Sequence, residues 1–154
     1  MRPSWDQYFL GLAFYASCRS HDKETKVGCV IADSNSHIVG IGYNGLCSGT
    51  EEEDWLCTRP HKYPFMVHAE QNALANMSRK TSLEKKAYIT HYPCAVCIKL
   101  LWQNGIRSIT VPENKTFLWK EEDGTMLAWL VREGLEFNRV DLDLDFAREI
   151  FPSI

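Results

Sequence analysis

Strand-like and helix-like segments alternate along nearly the whole chain, and this alternation limits the fold more than any other sequence feature. Short apolar stretches bounded by turn signals are typical of strands, and apolar residues that recur at helical spacing are typical of helices. Helices of about ten residues between strands predict a layered α/β structure whose strands are partly parallel. Because 154 residues leave room for one ordinary domain, we expect a single domain over 1–154.

The helices are predicted from apolar periodicity and from start and stop signals. Ser4-Trp5-Asp6-Gln7 has the S-x-x-Q form of a capping box, and Asn104-Gly105 is a helix stop. The predicted helices span 5–19, 69–77, 97–103 and 125–133. The predicted strands span 27–32, 38–43, 87–92, 106–111 and 135–140. Residues 44–63 form the longest irregular stretch, and a loop of this length in a compact domain often has a function.

Composition and charge exclude several classes of protein. Hydrophobic residues make up 45% and charged residues 24%, which is ordinary for a globular chain. The formal charge of −3 disfavours nucleic acid as a partner. No apolar run approaches the ~18 residues of a membrane span, and the N-terminal residues lack the apolar core of a signal peptide. We therefore expect a cytoplasmic protein with no membrane partner.

Two short motifs carry the chemistry: His68-Ala69-Glu70 and Pro93-Cys94-Ala95-Val96-Cys97. One imidazole and two thiolates suit Zn²⁺, and three protein ligands leave a fourth tetrahedral position for water. A helix beginning near Pro93 would lower the pKa of the cysteine thiols through its N-terminal N–H groups. The motifs predict one catalytic zinc per chain, bound by His68, Cys94 and Cys97.

Glu70 is the predicted proton carrier. It lies two residues after His68, need not bind the metal, and can take a proton from zinc-bound water and return it to substrate. H-x-E followed by P-C-x-x-C is the known signature of zinc nucleobase deaminases. The alternative is a non-enzymatic structural zinc module, which would need a fourth protein ligand and would not need Glu70.

The chain resembles the deoxycytidylate deaminases, the dCMP branch of the zinc cytidine-deaminase superfamily. The resemblance covers almost the whole chain and implies a cytidine deaminase-like fold, a three-layer α/β/α sandwich with a mixed five-stranded sheet. The segments that carry it are Trp5, Tyr8-Phe9, Arg19-Ser20-His21-Asp22, Val27-Gly28, Ile38-Val39-Gly40-Ile41-Gly42-Tyr43-Asn44-Gly45, Lys62-Tyr63-Pro64, His68-Ala69-Glu70-Gln71-Asn72-Ala73, Pro93-Cys94, Cys97 and Gln103-Asn104-Gly105-Ile106.

The resemblance implies hydrolysis of dCMP to dUMP and ammonia by a zinc-bound hydroxide, which would supply dUMP for dTTP synthesis. Asn44 and Ala69 match substrate-binding positions, with Asn44 on the deoxyribose. Asn44 is alternatively a turn residue before Gly45. The 5′-phosphate needs cationic groups. The candidates are Lys62, Arg19 and Lys115, and His61 is a weaker one. Each is alternatively a solvated surface charge.

The resemblance also implies regulation and assembly. Many relatives are homohexamers that dCTP activates and dTTP inhibits, with Mg²⁺ on the triphosphate. The matching effector residues are Asn44, Gly45, Gly49, Glu51 and Asp54. An enzyme that prefers dCTP, or accepts both dCMP and dCTP, is the alternative, and a nucleic-acid-editing deaminase is a more distant one.

Other residues have weaker signals. Cys47, Cys57 and His61, with His21, are candidates for a second, structural zinc, although free cysteines are commonly small buried hydrophobes. Phe117 is a candidate aromatic residue that closes over the substrate. Trp102, Trp119 and Trp129 favour packing or a subunit interface over base stacking, because the chain lacks a basic stripe.

Overall fold

A five-stranded mixed sheet forms the centre of the molecule. The computed structural model describes residues 2–78, 82–113, 121–142 and 145. The strand order is β2-β1-β3-β4-β5. β1 pairs antiparallel with β2 and β3, whereas β3, β4 and β5 run parallel. The predicted mixed sheet is confirmed.

The elements follow the predicted alternation. The strands are β1 (Gly28–Asp33), β2 (Ile38–Tyr43), β3 (Lys85–Ile89), β4 (Ile106–Pro112) and β5 (Glu136–Val140). The helices are α1 (Trp5–Ser17), α2 (Ala69–Ala75), α3 (Ala95–Gln103) and α4 (Glu121–Arg132). A 3₁₀ turn at Asp54–Cys57 lies within the long loop.

Two apolar clusters on opposite faces of the sheet make the three layers. Successive β1 side chains point to opposite faces, so Val30 packs with α1 whereas Ile31 packs with α2 and α3. Phe9, Leu10 and Ala13 bring α1 onto one face. Ala69, Ile98 and Leu130 bring α2, α3 and α4 onto the other. The predicted three-layer α/β/α sandwich is therefore confirmed.

Two glycines allow helices to lie directly on the sheet. A Cβ at Gly28 would lie 1.8 Å from the carbonyl oxygen of Ala13 in α1. A Cβ at Gly42 would lie 2.3 Å from the amide nitrogen of Ala73 in α2. Both positions exclude any side chain, and the contact at Gly42 sets the depth of the helix that begins beside His68.

Several predicted boundaries were wrong. The third strand was predicted over 87–92 but spans Lys85–Ile89, because residues 90–92 leave the sheet to lead into α3. Thr90 still forms two hydrogen bonds with Gly28, through its backbone N–H and its hydroxyl oxygen, and the chain leaves the sheet after Thr90. The helix predicted at 97–103 begins at Ala95, and the one predicted at 125–133 begins at Glu121. The S-x-x-Q prediction is confirmed, because Ser4 and Gln7 form a reciprocal capping box.

The helices are short. Among the described residues, none of them is both long and apolar enough to cross a bilayer.

Candidate active site

His68, Cys94 and Cys97 come together where two helices begin. His68 is the N-cap residue of α2 and Cys94 the N-cap residue of α3, with Cys97 one turn later. His68 Nδ1 lies 3.4 Å from the Cys97 sulfur and 3.6 Å from the Cys94 sulfur. The three predicted ligands therefore lie close together, although His68 and Cys97 are 29 residues apart in the chain.

This donor set fits a tetrahedral zinc ion. Its three ligand atoms all lie within 4.8 Å of one another, a span that suits ligand bonds of ~2.0–2.3 Å. Within the described parts of the chain, it is the one group of three or more histidine, cysteine or acidic residues so arranged. Three protein donors leave a coordination position for a small ligand.

The two thiols share a hydrogen bond that shifts their pKa values in opposite directions. A hydrogen bond from Cys97 lowers the pKa of Cys94 to about 4, helped by His68. The same bond, together with burial, raises the pKa of Cys97. The bond to Cys94 also raises the pKa of His68. The pair holds one proton readily, and a divalent cation would displace it to gain the second thiolate.

The side chain of Glu70 extends from the first turn of α2 toward the His68, Cys94 and Cys97 donor set. It is only 4% exposed, and burial raises the pKa of its carboxyl against the opposing hydrogen bond from its own backbone N–H. A carboxyl group with a raised pKa holds its proton more readily than an exposed one, which suits a group that transfers protons.

A cavity of about 310 Å³ is lined by three of these four residues, His68, Glu70 and Cys94, and its volume is within the usual size range of small-ligand sites. His68, Glu70 and Cys94 are at one end. The rest of the lining combines apolar surface with charged residues of both signs. Its other members are Asp22, Thr25, Val27, Asn44, Arg59, Lys62, Tyr63, Met66, Ala69, His91 and Tyr92.

Asn44 lines the cavity, and its side-chain amide makes several hydrogen bonds to the loop between α1 and β1. Its amide oxygen accepts from the Ser20 hydroxyl at 2.6 Å and the Val27 N–H at 2.8 Å. Its amide nitrogen donates to the Thr25 carbonyl at 2.8 Å. The predicted substrate residue is thus in the cavity wall, and its amide also fixes the loop that follows α1.

Lys62 is in the cavity wall as a buried ion pair. Its ammonium group lies 2.7 and 2.9 Å from the two oxygens of Asp22, and both residues are 3% exposed. Asp22 also accepts the backbone N–H groups of Glu24 and Thr25. Lys62 therefore lines the cavity with most of its charge already compensated by Asp22.

The other predicted residues are more scattered. Arg19 is exposed and lies 6.0 Å from the centre of the Tyr43 ring, outside the cavity lining. Gly45 is buried against His21, whereas Gly49, Glu51 and Asp54 are exposed on the long loop. Lys115, Phe117 and Trp119 lie outside the described residues.

The candidate second zinc site is not assembled. Cys57 is buried, Cys47 is exposed, and His61 packs edge-on against Trp55. The Nδ1 atom of His21 accepts the Leu46 N–H at 3.0 Å. In the described part of the chain, these side chains do not form a metal-ligating cluster.

Sequence reasoning missed Arg59. Its guanidinium donates to the Tyr63 hydroxyl at 2.9 Å and the Thr25 hydroxyl at 3.2 Å, and all three residues line the cavity. The available signal was its position three residues before Lys62 in the same loop.

The chain has clear relatives. The sequence profile described as "Cytidine and deoxycytidylate deaminase zinc-binding region" matches residues 3–113. The Homo sapiens protein named deoxycytidylate deaminase is 36% identical over 117 residues, covering 72% of this chain. The match spans 66% of that protein's own length, just under two thirds. The deoxycytidylate deaminase of Mycobacterium phage D29 is 32% identical over 128 residues, which cover 97% of the phage protein.

Solved structures share the fold. A dCMP deaminase from the cyanophage S-TIM5, crystallised with dCMP and dUMP, superposes with a TM-score of 0.69 at 27% identity. The alignment covers 91% of this chain and 99% of the cyanophage chain. A RibD protein of Acinetobacter baumannii, at 19% identity and a TM-score of 0.60, shares the fold alone.

Proposed function

This chain belongs to the cytidine and deoxycytidylate deaminase family, and from that premise we propose that it hydrolyses dCMP to dUMP and ammonia. The observation that carries the proposal is the buried carboxyl of Glu70, which lines one cavity together with His68 and Cys94, two of the three members of the donor set. The names of the human and phage relatives, and the nucleotides bound to the cyanophage protein, support dCMP as substrate.

His68, Cys94 and Cys97 hold the zinc ion in this proposal. Zinc, when bound, supplies Lewis acidity and makes a coordinated water a nucleophile near neutral pH. Glu70 accepts the proton that this water loses and delivers it to N3 of the cytosine ring. It then takes the proton of the hydroxyl group now bonded to C4 and passes it to the exocyclic amine, so that the C4–N bond breaks, C4 keeps a carbonyl oxygen, and ammonia leaves. Burial supports this role, because a desolvated carboxyl holds its proton more readily than an exposed one.

The cavity wall positions the nucleotide. Ala69 is fully buried in the lining at the first turn of α2, where the backbone N–H groups have no partner within the helix. We assign this edge of the cavity to the base and Asn44 to the deoxyribose. The hydrogen bonds that Asn44 makes to Thr25 and Val27 support a pre-formed sugar pocket.

The 5′-phosphate is proposed to lie at the cationic side of the cavity. Lys62 lines this side and stays a candidate, although its pairing with Asp22 weakens its attraction for a second anion. Arg19 and Lys115 also stay predictions, since Arg19 is outside the cavity lining and Lys115 outside the described residues.

Regulation is the second part of the proposal. We assign dCTP as activator and dTTP, with Mg²⁺, as inhibitor of a homohexamer. Effector residues would be Asn44, Gly45, Gly49, Glu51 and Asp54. Gly45 and Val67 exchange both backbone hydrogen bonds, at 3.1 and 2.8 Å, so both ends of the long loop are joined beside His68. This bridge supports coupling between the loop and the metal ligands.

The direct test is to incubate zinc-loaded protein with dCMP, dCTP, deoxycytidine and a cytosine-containing oligonucleotide, and to measure ammonia. Glu70→Gln protein is the matched control for contaminating deaminases. Release from dCMP above the other three is expected. Preference for dCTP would replace the substrate assignment, turnover of only the oligonucleotide would overturn it, and no turnover with zinc bound would favour a structural zinc module.

A further inference from the structure

A carboxylate of the chain itself already neutralises the cations beside the cavity. Glu24 Oε2 accepts the backbone N–H of Arg59 at 2.8 Å and lies 3.5 Å from the Lys62 ammonium. Its Oε1 lies 3.5 Å from the Arg59 guanidinium. Two cationic groups and one N–H thus surround a single anion, which is the arrangement that recognises an anionic group of a ligand.

Arg59 is the more available of the two cations. Its side chain is 51% exposed, whereas that of Lys62 is 4% exposed and is held at 2.7 Å by Asp22. Among the described residues, the hydrogen-bond partners of the guanidinium besides Glu24 are the neutral hydroxyls of Tyr63 and Thr25, both in the cavity lining. Leaving these partners costs Arg59 little, while Lys62 would have to break a buried ion pair.

Resting on the proposed nucleotide-monophosphate substrate, we propose that Arg59 selects the anionic 5′ group of the ligand, and that Glu24 is the internal carboxylate with which this group competes. On binding, the guanidinium exchanges the long 3.5 Å contact to Glu24 for the phosphate oxygens. Exchange of one anion for another keeps the charge of Arg59 paired throughout. Glu24 thereby limits affinity for phosphorylated ligands and leaves affinity for nucleosides unaffected.

The test compares two ligands that differ only in the 5′-phosphate. Binding of dUMP and of deoxyuridine to the zinc-loaded protein is measured by calorimetry for wild type, Glu24→Gln, Arg59→Gln and the double variant. Glu24→Gln keeps an oxygen for the Arg59 N–H and removes only the charge. Glu84→Gln, an exposed glutamate just before β3, is the matched control for net charge.

Glu24→Gln is expected to tighten dUMP binding by on the order of three- to fivefold, the scale of a partly exposed ion pair. Arg59→Gln should weaken it by at least as much, and the gain from Glu24→Gln should shrink in the Arg59→Gln background. Deoxyuridine affinity should stay constant in all four proteins. Equal shifts for both ligands, or no gain in dUMP affinity on Glu24→Gln, would overturn the assignment.

The result separates this inference from the proposed reaction. Ammonia release from dCMP by the wild-type protein tests the reaction alone. If dCMP is deaminated but the four proteins bind dUMP alike, the reaction stands and the role of Arg59 and Glu24 fails. If dUMP affinity shifts as expected without turnover of dCMP, the recognition stands and the reaction fails.

Discussion

The ammonium group of Lys62 lies 2.7 Å from Oδ2 of Asp22, with both side chains removed from solvent. This ion pair joins the turn after α1 to the loop segment that leads to His68. Asp22 also accepts two backbone N–H groups in its own turn, so its carboxylate is satisfied from three directions. The ion pair therefore controls the shape of the cavity wall.

Asp22→Asn should destabilise the protein strongly. Removal of one partner leaves a buried ammonium uncompensated, which costs about 3 kcal/mol, near the low end of the range for such pairs because Glu24 remains 3.5 Å away. Urea unfolding measures the change. Asp54→Asn, which breaks the exposed pair with Lys23, should have a much smaller effect. Adding Lys62→Met to Asp22→Asn should restore stability, and equal losses in the single and double variants would contradict this reading.

The lowered pKa of Asp22 predicts that the folded protein loses stability in acid. Burial raises the pKa of its carboxyl, but hydrogen bonds from Lys62, Thr25 and Glu24 outweigh it, so the folded pKa is below the ordinary 3.8. The stabilisation is complete above that ordinary value and is lost as pH falls through the folded pKa. Urea unfolding between about pH 5 and pH 2 should show a steeper loss in wild type than in Asp22→Asn. Parallel curves would refute the assignment.

Local sequence patterns predicted the architecture because each pattern depends only on residues that are close together in the chain. The β1 and β2 region was located within one residue at each end, since short apolar runs rich in Val and Ile and bounded by turn residues are typical of strands. The end of β3 was misjudged because Thr90 and Tyr92 are residue types with a high strand propensity. Their exit from the sheet depends on the position of α3, which no local pattern contains.

The residues of the candidate site also differ in whether a local sequence pattern indicates them. His68, Cys94 and Cys97 were predicted because metal ligation requires particular residue types at fixed spacing, and Glu70 because it follows His68 by two residues in the H-x-E motif. Arg59 and Glu24 were missed because their contact joins residues 35 positions apart through a loop. Charged loop residues have no periodicity, so no local pattern in the sequence predicts the pairing of Lys62 with Asp22 either.

Glu70→Gln should reduce dCMP turnover by at least ~10²–10⁴-fold, the usual contribution of a positioned proton carrier. The amide keeps the shape of the side chain and removes the acid. Zinc content, measured by atomic spectroscopy, should stay at one per chain because Glu70 is not among the ligands. Loss of zinc in this variant would show that its assigned role is wrong.

Cys94→Ala or Cys97→Ala should remove both zinc and activity, since either change leaves two protein donors. Cys47→Ala is the matched control, because Cys47 is exposed and outside the donor set. Cys57→Ala should also keep one zinc, with some loss of stability from a buried position. Two zinc ions in the native protein, falling to one in Cys57→Ala, would instead support the second-site alternative.

The last prediction concerns control through the long loop. Because Gly45 and Val67 are bonded to each other next to His68, an effector that orders residues 44–63 would act on the sugar side and the metal side of the cavity together. Coupling of ~1–3 kcal/mol between two states would change affinity ~5–150-fold. We expect a hexamer by light scattering, sigmoidal dCMP kinetics, a hyperbolic curve with dCTP, and inhibition by dTTP with Mg²⁺ without binding at zinc. Simple competition between dTTP and dCMP, or no effect at millimolar dTTP, would leave the loop as a connector.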